Sequence, residues 1–414
     1  MTTETKSRKK KVAYFYDYLI GDYDYGPNHP MKPHRIRMTD ALLHGYDLIR
    51  EMAPIQAQIG RDDLMQFHAE DYIEFLETVD HQTFPECDDV VQKYNVNEDC
   101  PVFEGLWDFI RTYSAGSIGG AQHINSGASE IAINWSGGLH HGKKMEASGF
   151  CYANDCVLAC IELLKRHERV LYIDIDIHHG DGVEEAFYTS PRCMCVSFHK
   201  FGEYFPGTGA IEDTGSGAGH GYSINVPLQD GVTDEMFIDI FTRVMNLVRS
   251  RFDPQAVVLQ CGADSLSGDR LGCFNLTLEG HGYAVEYVKN WRVPMVVLGG
   301  GGYTLRNVAK CWTYETAVLL EKELDPVIPE DTKYLGYYGP DCRLEVLPSS
   351  VLENHNSRAD MDKIEQQLVE VMKGKVFATN AGIKSAAVND SGPFPVLNLQ
   401  RSEQDDDADV RMTD

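Results

Sequence analysis

Five short apolar runs, Ile131–Trp135, Val170–Asp176, Met194–Phe198, Ala256–Cys261 and Val293–Leu298, are rich in branched side chains and alternate with helix-length amphipathic segments such as Tyr152–Arg166 and Asp234–Arg251. Runs that stay apolar on both faces, separated by helices, predict a single parallel sheet flanked by helices on both faces. Ile131–Trp135 leads into Ser136-Gly137-Gly138-Leu139-His140-His141, and Val170–Ile175 into Asp176-Ile177-His178-His179-Gly180-Asp181. Ala256–Cys261 leads into Gly262-Ala263-Asp264, and Val293–Leu298 into Gly299-Gly300-Gly301-Gly302-Tyr303. Open α/β sheets bind ligands beyond the carboxyl ends of their strands, where these polar residues collect.

At 414 residues, with 43% apolar and 24% charged residues, the chain has material for one large buried core. No stretch reaches the roughly 18 apolar residues that span a bilayer, and the chain opens on Met1-Thr2-Thr3 and charge rather than an apolar leader. A soluble intracellular protein is expected. The 11 cysteines, from Cys87 to Cys342, lack paired CxxC spacing and read as reduced thiols; Cys193 and Cys195 alternate with Met194 and Val196 on one face of a strand. A formal charge of −26 argues against direct binding to a phosphate backbone, so a nucleic-acid connection has to run through a partner or a basic substrate. The basic run Lys6, Arg8, Lys9, Lys10 and Lys11 is either a nuclear-import patch or a solvated end. From about Gly374 the pattern dissolves into a polar and finally acidic tail, expected to be mobile.

The chemistry gathers at the strand ends. Asp174, Asp176 and His178 occupy alternate positions as a strand runs out, which predicts that they project to one side of the sheet. Buried carboxylates repel one another, and a divalent cation is the simplest remedy. Asp264, after another strand, completes an Asp, His and Asp set with an open position for water, the plan of a catalytic zinc site. Ordinary loop carboxylates are the bland alternative, but the density of this segment exceeds what a loop requires. Asp174 and Asp181 can accept the ring N–H bonds of His140 and His141, fixing their tautomers and giving the two imidazoles different pKa values. One histidine then takes a proton from water while the other supports a leaving amine. The four glycines lack the lysine and hydroxyl of a P-loop, and Tyr303 after them can donate to a developing oxyanion.

These segments, with Gly202-Glu203-Tyr204-Phe205-Pro206-Gly207-Thr208-Gly209, Leu259–Asn275, Met31–Thr39 and Glu146–Tyr152, resemble class I histone deacetylases from about Val12 to about Leu320. The resemblance implies the arginase/deacetylase α/β fold and zinc-dependent hydrolysis of N6-acetyl-lysine on histone tails, in chromatin regulation and transcriptional repression. It assigns one Zn²⁺ to Asp176, His178 and Asp264, the acid–base pair to His140 and His141 with Asp174 and Asp181 behind them, and carbonyl polarisation to Tyr303. It places the lysine tunnel at Gly149, Phe150, Phe205 and Leu271, and the substrate-backbone contact at Asp99. A structural K⁺ would map to Asp174, Asp176, His178, Ser197 and Phe198. Lys32, Arg35, Arg270 and Arg306 stand where the family forms an inositol-phosphate pocket with a corepressor subunit, although pairing with local acids explains them equally well. The implied organisation is a basic extension over 1–11, a catalytic domain over 12–325, a packed extension over 326–375 and an acidic tail over 376–414. Acetylated histone tails and corepressor subunits are the implied partners, and the nucleus, with the cytoplasm beside it, the implied location.

The sequence departs from the family at Gly142, Met145, Ala263, His220-Gly221 and Asp24-Tyr25-Gly26-Pro27-Asn28, which bears on rate, substrate preference and partners. A binuclear hydrolase of the arginase type would need a further carboxylate beside Asp264, where Ser265 and Leu266 stand. Non-histone proteins or acetylpolyamines as substrates, and a mainly architectural corepressor subunit, are the other readings.

Overall fold

Side chains that are apolar on both faces force the central strands inside, and the sheet is assembled around them. The computed structural model describes residues 12–82, 84, 88–373 and 400–401. Its parallel strands are β1 (Val12–Phe15), β2 (Ala53–Gln56), β3 (Ile131–Asn134), β4 (Val170–Asp174), β5 (Cys193–Lys200), β6 (Ser223–Leu228), β7 (Ala256–Gln260) and β8 (Met295–Leu298). They lie in the order β6-β5-β4-β7-β8-β3-β1-β2, and the two residues Gln400–Arg401 pair antiparallel with β2 at the edge. The five expected runs are all strands. Three more were not anticipated: β1 and β2 have four residues each, while Pro54 in β2 and Pro227 in β6 interrupt the apolar pattern. Both proline-bearing strands lie at or next to an edge of the sheet, where a missing N–H is tolerated.

Alternation along each strand feeds two cores. Leu171 and Ile173 of β4 pack on one face with Phe237, Phe241 and Val285, while Val170 and Tyr172 pack on the other with Cys156, Cys160 and Val183. Cys193 and Cys195 belong to the second core, and the ten cysteines among the described residues are free thiols. The first core is covered by helices including Asp234–Phe252, Leu278–Lys289 and Leu305–Leu320; the second by helices including Asp155–Leu164 and Asp181–Phe187. The helix Asp155–Leu164 begins later than its apolar pattern suggests because Asn154 caps it, accepting from the Val157 amide. Past residue 320, Val327 bridges Arg343, and the helix Arg358–Met372 packs on Asp234–Phe252 with Arg243 paired to Asp362 and Glu365. Lys6 to Lys11, Cys87 and the tail from Gly374, apart from Gln400–Arg401, lie outside the described residues. Among the described residues no helix is long and apolar enough to cross a membrane.

Trp312 ties the helical layer to the functional end of the sheet. Fully buried, it stacks on Trp135 at 5.5 Å, donates from Nε1 to the Cys261 carbonyl at 2.8 Å and lies under the Arg35 guanidinium at 5.2 Å. Trp312→Ala should cost about 3–5 kcal/mol and lower the thermal midpoint by several degrees. Leu347→Ala, at a side chain 70% exposed, should stay within about 0.5 kcal/mol in the same thermal scans.

Candidate active site

Strands β4 and β7 are neighbours, so the segments that leave their carboxyl ends come together. Asp174 is the last residue of β4, and the chain has left the strand by Asp176. The alternation expected through His178 therefore stops early. Asp174 stays on the face of Tyr172, whose hydroxyl donates to Asp174 Oδ2 at 2.7 Å, while Asp176 and His178 turn toward Asp264 in the short turn after β7. Ligand atoms of Asp176, His178 and Asp264 all lie within 4.8 Å of one another, and all three residues are buried. His178 Nδ1 is 3.1 Å from Asp176 Oδ1 and 3.1 Å from Asp264 Oδ2, so one ring nitrogen faces both carboxylates. Burial alone would push His178 down, but the two carboxylates outweigh it and lift it to about 10. Burial and the nearby Asp176 charge raise Asp264 to about 7. Two anionic oxygens and a nitrogen facing one another in a buried space form a donor set that fits a divalent metal ion.

Fixed donors hold these oxygens. The Ile177 amide donates to Asp264 Oδ1 at 2.9 Å, and the Gly301 amide and Gln260 Nε2 donate to Asp176 Oδ2 at 2.8 and 2.9 Å. The glycine run is required by this approach: a Cβ on Gly301 would lie 1.9 Å from Asp264 Oδ2. Arg35 clamps the same run from behind, donating to the Gly302 and Gly300 carbonyls at 2.6 Å each.

The histidine pair is set by two different carboxylates. His140 Nδ1 is 2.7 Å from Asp174 Oδ2, and His141 Nδ1 is 2.7 Å from Asp181 Oδ1. Burial works against a charge on His140, but Asp174 and Asp176 prevail and raise it to about 9. Burial and the charge of His140 push His141 down to about 3 against the pull of Asp181, whose other oxygen takes Lys143 at 2.6 Å. Without a metal, His140 thus carries a proton at neutral pH while His141 is a neutral base. Asp155 and Asn154 position the loop between them. The buried Asp155 carboxylate accepts from the Gly138 and Leu139 amides at 2.8 Å, and Asn154 Nδ2 donates to the carbonyls of His140 and Gly142 at 2.9 Å.

Tyr303 lines the same site. Its amide donates to Asp269 Oδ2 at 2.7 Å, and burial with the adjacent Asp264 charge raises the phenol well above its usual value, keeping it a donor. Its ring meets Phe150 edge-on at 5.7 Å, while Phe205 meets His141 edge-on at 4.9 Å. Gly149, at φ +52°, lies between: a Cβ there would be 2.5 Å from His141 Cδ2 and 2.8 Å from Phe205 Cε1. Phe205 and Leu271 are exposed, as is Asp99, whose carbonyl accepts from His29 Nε2 at 3.1 Å. Ser197 is the register partner of Asp174 on β5 and pairs with His199 Nδ1 at 2.9 Å; Phe198 beside it packs into the first core. Met145 projects into solvent, whereas Ala263 is buried.

The four basic residues differ in exposure. Arg270 and Arg306 are exposed, and Lys32 pairs with Asp24 at 3.1 Å. Arg35 is 4% exposed and committed to the glycine loop, which corrects its expected place in a surface anion pocket. Gln260, Asp155, Asn154, Lys143 and Asp269 were not anticipated. Gln260 was legible as a polar residue ending an apolar run; the others act across more than ten positions of sequence, and nothing local marks them.

Residues 29–319 match the model of the histone deacetylase domain. The chain is 55% identical over 373 residues to histone deacetylase clr6 of Schizosaccharomyces pombe, covering 89% of this chain and 91% of that protein. It is 54% identical over 371 residues to histone deacetylase 1 of Bos taurus, covering 89% and 77%. It is 51% identical over 406 residues to type-1 histone deacetylase 1 of Dictyostelium discoideum, covering 98% and 80%.

Metal uptake at this site should displace protons. Below about pH 10 His178 holds one that the metal must replace, and below about pH 7 Asp264 holds a second. Apparent affinity for Zn²⁺ should rise about tenfold per pH unit between pH 7 and 9, and more steeply below pH 7. Indicator-competition titrations from pH 6 to 9 measure this; a flat profile would show that the three groups do not bind the ion.

Proposed function

The chain belongs to the class I histone deacetylase family, and we propose that its residues divide the work of acetyl-lysine hydrolysis as follows. As a member, it is a hydrolase of acetyl-lysine acting on histones in chromatin regulation and transcriptional repression. The family is metal-dependent, and Asp176, His178 and Asp264 would hold one Zn²⁺. Bound there, the ion supplies Lewis-acid polarisation of the acetyl carbonyl and of the attacking water.

The protein's own groups do the rest. Neutral His141, at the tunnel side against Phe205 and Gly149, takes the proton of the attacking water and delivers it to the departing lysine amine. His140, held at Nδ1 by Asp174, faces the same site and supports the carbonyl oxygen as it gains negative charge. The Tyr303 hydroxyl donates to that same oxygen. Gly149, Phe150, Phe205 and Leu271 line the passage for the four methylenes of the lysine, and exposed Asp99 receives the substrate backbone. A structural K⁺ beside β4 and β5 would be held by Asp174, Asp176, His178, Ser197 and Phe198. The observation that supports this reading is that the metal-type donor set of Asp176, His178 and Asp264 adjoins the histidine pair, with His141 5.8 Å from His178 and Phe205 edge-on to His141 at 4.9 Å.

The acidic surface suits basic histone tails better than anionic partners, in keeping with a nuclear location. Exposed Arg270 and Arg306, with Lys32, are the residues left to receive an inositol phosphate at a corepressor subunit. We take 12–325 as the catalytic domain and 326–375 as an extension, of which the described residues end at 373 and include a helix packed on the domain.

Tyr303→Phe keeps the ring and removes one oxyanion donor, so kcat on acetylated histone-tail peptides should fall about 10²–10³-fold with metal content unchanged. Near-normal turnover would assign the phenol a packing role. Acetylated histone-tail peptides should also be turned over faster than acetylpolyamines by the same preparation; the reverse order, read from acetate release, would overturn the substrate assignment.

A further inference from the structure

Behind the metal-type cluster lies a second buried polar group that the chemistry above does not use. Ser265 follows Asp264 directly. Its hydroxyl lies 3.0 Å from the Ile175 carbonyl, 3.2 Å from the Gly262 carbonyl and 2.7 Å from His281 Nε2. His281, on the helix Leu278–Lys289, places Nδ1 3.0 Å from Oε1 of Glu315 on the helix Leu305–Leu320. Ser265, His281 and Glu315 are all fully buried. The Glu315 carboxyl is otherwise approached by the thiols of Cys261 and Cys311, which are weak donors.

The single Ser265 hydrogen goes to one of the two carbonyls or to His281 Nε2, and in either case Oγ, Nε2, Nδ1 and the Glu315 carboxyl form one continuous hydrogen-bonded chain. Both ring nitrogens of His281 are thereby committed, which argues against a second metal at His281, Cys311 and Glu315 despite their proximity. The carbonyls at the far end are those of Ile175, immediately before Asp176, and Gly262, two residues before Asp264. One hydroxyl thus spans the two segments that deliver the carboxylates, and two helices hold it in place.

We propose that Ser265, His281 and Glu315 are positioning residues that set the spacing of Asp176 and Asp264, and so the retention and geometry of the bound metal. This rests on the assignment of the metal to Asp176, His178 and Asp264. Partners behind metal ligands typically change affinity about 10–100-fold when removed. Ser265→Ala deletes one oxygen and leaves packing intact; Glu315→Leu removes the far anchor.

The test uses full-length, zinc-loaded protein challenged with excess EDTA, zinc release being followed with a chromogenic chelator. It is repeated with Co²⁺, whose visible absorption reports coordination geometry. Ser265→Ala and Glu315→Leu should release zinc about 10–100-fold faster and shift the Co²⁺ bands. Val248→Ala, a truncation in the helix Asp234–Phe252 that contributes no group to this hydrogen-bonded chain, should lower the thermal midpoint without changing either readout. Should Glu315→Leu fail to fold, Ser265→Ala alone decides. Wild-type zinc release and spectrum in Ser265→Ala would overturn the proposal, as would equal acceleration in Val248→Ala or a second bound zinc in the wild type. Asp264→Asn separates the two levels. If it loses zinc while Ser265→Ala behaves as wild type, only the positioning role fails; if it keeps zinc, the ligand assignment itself has failed.

Discussion

Two buried carboxylates, Asp176 and Asp264, face one another, and much of the surrounding structure answers that repulsion. Like charges interact far more strongly in a buried setting than in water. The backbone amides of Ile177 and Gly301 and the Gln260 side chain are turned inward onto these oxygens, and one ring nitrogen of His178 faces both carboxylates. The glycine run after β8 follows from the same constraint, since an amide can approach this closely only where no side chain intervenes. Arg35 then secures the run by its carbonyls, which gives a buried guanidinium a role deep inside an acidic protein.

The histidine pair shows how one loop makes two chemically distinct groups from identical side chains. Each imidazole has a carboxylate at 2.7 Å, yet one is raised and the other lowered. The difference lies in what else surrounds each ring. Asp174 is shared with a neutral tyrosine hydroxyl and has Asp176 nearby, so negative charge accumulates around His140. His141 has burial and the charge on His140 against it, and Asp181 does not outweigh them. A pair of titratable groups driven apart in this way can hold and accept a proton at the same pH.

The alternation of strands and amphipathic segments was sufficient for a parallel sheet with both faces covered, because burial on both faces writes itself as a continuous apolar run. Three strands, β1, β2 and β6, escaped that test, and two of them, β2 and β6, contain proline. The concentration of Asp, His and Gly after the central strands likewise marked the functional end of the sheet before any coordinates. The exact exit of β4 did not follow, since period-two spacing continues past Asp174 although the backbone leaves the strand there.

Residue types and local spacing therefore decided the class of fold, the end that carries the chemistry and the ligand types available there, because these depend on patterns within a few residues. Tertiary structure decided which carboxylate meets which histidine, that Asp155 and Asn154 hold the histidine loop, that Arg35 is a clamp rather than a surface cation, and that His281 and Glu315 reach Ser265. Those pairings join residues from 12 to 267 positions apart. The charge state of a buried group is set by whatever neighbours the fold delivers to it, and no local reading of the chain contains them.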